Sequence, residues 1–89
     1  MITDKELERI DGFWLDPKLK YYHDNEDWAF IPLNKNRKEW DFCAMSCIDG
    51  ETEPLFRITK DMTMEQLKEM FYLVTNEELF INNEYTRRN

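Results

Sequence analysis

Near the N-terminus the apolar positions Leu7, Ile10 and Trp14 recur at helical spacing among charged residues, which predicts one apolar helix face. Thr3 and Glu6 fit a capping box that starts the helix at Asp4, and Ile2 before the cap is placed to staple onto Leu7. Gly12 is the expected stop, because glycine takes the left-handed conformation that ends helices. Residues 13–27 have no clear period. Asp16-Pro17 favours a turn, Leu19, Tyr21 and Tyr22 suit a short extended piece, and the stretch from Asp24 to Asp27 is polar.

From Trp28 the period changes to two. Trp28, Phe30, Ile31 and Leu33 form a short apolar strand that lies at an edge or ends at Pro32, since proline cannot donate to a ladder. A turn follows through residues 34–38. In residues 39–48, Trp40, Phe42, Ala44, Ser46 and Ile48 alternate with Cys43, Met45 and Cys47, so both faces are largely apolar and the strand should be central. Asp49-Gly50 predicts a tight hairpin turn, with residues 55–59 returning as its partner strand. Thr63 and Gln66 form a second capping box, opening a helix whose Met64, Leu67, Met70, Phe71 and Val74 share one face. Residues 76–81 suit a short helix or a last strand equally, and residues 82–89 read as a loose tail. The resulting expectation is an α+β fold: an N-terminal helix, a three-stranded antiparallel meander and a C-terminal helix packed on the sheet.

Length and charge narrow the function classes. Eighty-nine residues make one domain, and three Trp, four Tyr and six Phe argue that it folds despite a charged fraction of 35%. The net charge of -7 disfavours direct nucleic-acid binding, which needs clustered Lys and Arg, and favours a basic protein partner. No apolar run is long enough to span a membrane and the first residues do not read as a signal peptide, so a cytoplasmic protein is expected.

The candidate chemistry is sparse. Cys43 and Cys47 on one strand would stand about 13 Å apart, too far for a disulfide, and with the distant His23 they fall short of a zinc ligand set. No metal or cofactor is expected. His23 beside Asp24 points away from it in an extended segment and is expected to be a surface histidine. No motif frames Cys43, Cys47 or Ser46 as a nucleophile, so a non-enzymatic role is expected.

Two acidic clusters remain: Asp24, Glu26 and Asp27 before the first strand, and Asp49, Glu51 and Glu53 at the hairpin. With Tyr21, Tyr22 and Trp28 as aromatic anchors, they suit a stoichiometric inhibitor that occupies a basic surface of its partner. Inhibitors, immunity proteins and phage counter-defence proteins share this composition, and a nucleic-acid-binding partner would make the acidic surface a nucleic-acid mimic. Two other readings stand beside it: a module that self-associates, as a homodimer, through an edge strand or the Met-rich helix, and a small ligand-binding or catalytic domain using Cys43, Cys47 or His23. Lys35, Arg37 and Lys38 form the one compact basic cluster, read as a solvated turn.

Overall fold

A computed structural model describes residues 1–46 and 51–82. Its elements are α1 (Asp4–Leu7), β1 (Trp14–Leu15), β2 (Tyr22–His23), β3 (Trp28–Pro32), β4 (Trp40–Met45), β5 (Thr52–Ile58) and α2 (Met64–Thr75). The five strands form one antiparallel sheet in the order β1-β2-β3-β4-β5. The expected three-stranded meander is therefore corrected to five strands with two short helices. The two added strands, β1 and β2, hold two residues each, too few to establish a period of two.

Both helices start at their capping boxes. Glu6 accepts from the Thr3 amide at 2.9 Å, Gln66 accepts from the Thr63 amide at 2.9 Å, and the Thr63 hydroxyl accepts from the Gln66 amide at 3.2 Å. The first helix ends at Leu7, well short of Gly12. One turn is too short to propagate against competing pairing, and Ile10 bridges Ile81 while the Asp11 amide donates to the Phe80 carbonyl at 2.7 Å. Gly12 adopts φ +85° in the turn that follows, and Trp14 lies on β1 rather than on a helix face. Residues 76–81, open between helix and strand, form neither apart from that single bridge.

β3 is internal and ends at Pro32; β4 is internal too. Its partner β5 begins at Thr52, earlier than expected, and takes in Pro54 through a register shift between Phe42 and Cys43. The Asp49-Gly50 turn and Cys47 lie outside the described residues.

One cross-strand row, Tyr22, Phe30, Phe42 and Phe56, runs through β2 to β5 and carries the core. Phe42 lies at its centre, with ring centroids 5.2 Å from Phe30, 5.0 Å from Phe56 and 5.3 Å from Phe71 of α2. Leu67 and Phe71 are buried, so α2 covers this face, whereas Val74, assigned to the same stripe, is exposed. Ile2 and Leu7 are buried beside Trp40, whose indole Nε1 donates to the Ile2 carbonyl at 2.9 Å. The next row, Trp14, His23, Ala29, Cys43 and Pro54, faces the opposite side of the sheet.

Candidate functional site

In a meander successive turns go to opposite ends of the sheet. The β2–β3 and β4–β5 turns thus share one end. The pairings there are tight: the Met45 amide donates to the Asp27 carbonyl at 2.8 Å, the Ser46 amide to the Glu51 carbonyl at 2.8 Å, and Ala44 opposes Glu53. Asp24, Glu26 and Asp27 are thereby brought together with Glu51 and Glu53; Asp49 lies outside the described residues. The β1–β2 turn and the β3–β4 loop lie at the other end, with Lys18, Lys20, Lys35, Arg37 and Lys38. One end of the sheet is thus acidic, while at the other the cations stand beside Asp4, Asp16 and Glu39.

The acidic residues differ in their local roles. Asp24 Oδ1 accepts from the amides of Glu26, Asp27 and Trp28 at 3.0, 2.9 and 3.1 Å, which closes the turn. Glu26, Asp27, Glu51 and Glu53 are exposed. Asp24 builds the loop that presents its neighbours.

The three aromatic residues expected as anchors separate. Tyr22 is buried in the core, and its hydroxyl donates to Asp4 Oδ1 at 3.0 Å. Burial, then that carboxylate, pushes its phenol well above the usual range. Tyr22 offers no surface to a partner. Trp28 is half-buried, stacked on Phe42 with centroids 5.6 Å apart, and its buried Nε1 has no hydrogen-bond partner among the described residues. Tyr21 is half-buried on the opposite face, where burial and nearby Asp16 raise its phenol.

His23 is a correction to the expected surface histidine: it is 3% exposed. Its Nδ1 accepts from the Asn25 amide at 2.9 Å, so the ring proton sits on Nε2, which donates to Asp16 Oδ2 at 2.9 Å. The orienting carboxylate is Asp16, not the adjacent Asp24. Asp16 Oδ1 also accepts from the amides of Lys18 and Leu19. Led by the imidazole bond, these contacts draw its carboxyl down to about 2. Both ring nitrogens are engaged and Trp14 covers the ring at 4.3 Å, so the geometry is that of a structural clasp on the β1–β2 turn.

Cys43 lies in the same row as His23 with Ala29 between them, about 9.5 Å of sheet away. Burial pushes its thiol up to about 11, away from the thiolate that nucleophilic or metal chemistry requires. No group of three His, Cys, Asp or Glu side chains that could hold a metal occurs among the described residues. Of the basic cluster, Lys35 and Lys38 are exposed, while Arg37 is turned inward onto Asp4.

Sequence reasoning missed an apolar groove between α2 and residues 78–80, lined by Lys68, Glu69, Tyr72, Leu73, Glu78 and Phe80, with a volume of about 660 Å³. Tyr72, Leu73 and Phe80 are 51%, 76% and 62% exposed. The available signal was the position of Tyr72 and Leu73, off the Leu67–Phe71 stripe and so on the outer face of the helix. No helix among the described residues is long and apolar enough to cross a membrane. Comparison with family models, curated proteins and solved structures finds no match.

Proposed function

We propose that this chain is a non-enzymatic protein-binding module that acts by stoichiometric occupation of a basic surface on its partner. The observation that supports the reading is the gathering of Glu26, Asp27, Glu51 and Glu53 at one end of the sheet, on turns held by the Asp24 bonds and the 27–45 and 46–51 backbone bonds. A net charge of -7 with cations at the far end gives a field that orients a basic partner before contact. The complementary surface is one suited to an anion, as on a nucleic-acid-binding protein.

The test has two steps. Affinity capture from a cell lysate at low and high salt, with mass spectrometry, identifies a basic partner lost at high salt. Stopped-flow association with that purified partner is then compared for the native chain and a Glu26→Lys, Asp27→Lys, Glu51→Lys, Glu53→Lys variant. Association should slow by about tenfold or more and lose most of its salt dependence. Equal rates for the two proteins at every ionic strength refute the reading.

A second reading, self-association, is supported by the exposed Trp14 and Leu15 on the outermost strand β1. A monomer mass that stays constant with concentration in sedimentation velocity removes it.

A further inference from the structure

The groove beside α2 is unlike the rest of the apolar surface because its exposure is built in. Leu79 is buried in the core, which turns its neighbour Phe80 outward. The backbone there is pinned on both sides: the Phe80 carbonyl accepts from the Asp11 amide, and the Asn82 amide donates to the Arg9 carbonyl. Across the groove, Tyr72 and Leu73 project from the outer side of a helix whose inner side is fixed by Phe71 on Phe42 and Trp28. The result is a preformed apolar recess whose volume falls in the range of about 300–1,000 Å³ that takes up ligands.

Charge selects among occupants. Among the described residues, Glu69 and Glu78 line the recess with one cation, Lys68, and Glu77 stands next to it in sequence. The last turn of α2 carries no basic side chain, so its carbonyl ends add partial negative charge there. An apolar floor with a negative rim disfavours an anionic lipid surface and an acidic peptide. It also disfavours a second copy of this chain, which carries the same net charge of -7.

We propose that the groove holds a short segment of the partner protein in which a bulky aliphatic or aromatic residue is flanked by Lys or Arg. This rests on the protein-binding reading above and adds to it the partner's local chemistry. The apolar residue fills the space between Leu73 and Phe80, and its cations meet Glu69, Glu78 and the helix carbonyls.

The probe is a displayed library of random short peptides, selected on the full chain at low salt. Enriched peptides should pair Leu, Ile, Phe, Trp or Met with Lys or Arg, and in ¹⁵N–¹H spectra they should move the amides of residues 68–73 and 78–80. Leu73→Glu and Phe80→Ser should each weaken them by at least about tenfold, the loss expected for one buried apolar side chain. Both positions are exposed, so unchanged circular dichroism and unfolding midpoints confirm that these variants remain folded. Peptides indifferent to both variants but lost on charge reversal at Glu26, Asp27, Glu51 and Glu53 overturn the groove and leave the protein-binding reading intact. Failure to enrich any peptide, or a dimer dissolved by Leu73→Glu, also overturns it. The reading itself fails separately, on the association kinetics with the captured partner.

Discussion

Arg37 joins three separate parts of the chain through one side chain. Its Nε and Nη2 donate to the Asp4 carboxylate of α1 at 2.8 and 2.9 Å, and its Nη1 donates to the Lys20 carbonyl at 3.0 Å. Its guanidinium carbon also stands 5.1 Å from the centroid of the Trp40 ring. Arg37 has φ +54°, and Ala would carry the same left-handed strain, so Arg37→Ala isolates the side chain. The Arg37 and Asp4 side chains are 27% and 38% exposed, which holds their ion pair near 1 kcal/mol after screening. The carbonyl bond adds about 1 kcal/mol and the ring contact about 0.5–1. Arg37→Ala should therefore lose about 2–3 kcal/mol in urea unfolding followed by tryptophan fluorescence, and Arg37→Lys, which keeps charge but not the fork, about half of that. The deficit should also depend on pH. Arg37 holds the Asp4 carboxyl below its unfolded value of about 3.9, so the ion pair contributes fully above that pH and is lost as pH falls through the lower folded value. The deficit should therefore shrink by about 1 kcal/mol in acid, leaving the carbonyl and ring contacts, which do not titrate. A deficit under about 0.5 kcal/mol, or one that stays constant while NMR shows the Asp4 carboxyl protonating in the folded chain, refutes this account.

Three further outcomes follow from the geometry. Phe42→Ala removes the centre of the aromatic row and should cost about 3–5 kcal/mol, much of the about 4–13 expected for a domain of this length, whereas exposed Phe80→Ala should cost under about 0.5; parallel urea curves test both. Asp16, drawn down to about 2 mainly by His23, stabilises the fold above the unfolded value and loses that contribution as pH falls from about 3.9 towards 2. A carbon-detected NMR titration should place its midpoint near the lower end, Asp16→Asn should flatten this part of the acid unfolding profile, and a midpoint near 3.9 would contradict the clasp. In a Cys47→Ser background, Cys43, with its thiol pushed up to about 11, should react with iodoacetamide at pH 8 about a hundredfold or more slower than in the unfolded chain; equal rates would show that burial does not protect it.

What the sequence revealed is what is local. Both capping boxes complete their contacts within four residues, and α2 and the alternation of β4 read directly because each repeats over several residues. The remainder depends on partners distant along the chain. Ile10 is drawn from a helical pattern by Ile81, and His23 finds its carboxylate at Asp16 across a turn rather than at its neighbour Asp24. Tyr21 and Tyr22 are indistinguishable until pairing with Phe30 assigns Tyr22 to the core face. The acidic residues were visible as clusters, but their union at one end required knowing that an even number of strands, β3 and β4, separates the two turns. The groove was hidden for a related reason: Phe80 faces solvent only because Leu79 is anchored.

The free edge of β5 sets how the sheet can grow. A seven-residue outer strand would ordinarily template another chain, but Pro54 supplies no amide hydrogen and the register shift at Phe42 and Cys43 disturbs the ladder beside it. The opposite border, β1, has only two residues to offer. Among the described residues the sheet ends at these two strands, its β5 border interrupted by one imino acid. Exchange of Pro54 for Val would restore a continuous border and turn a self-limiting fold into a nucleus for cross-β growth.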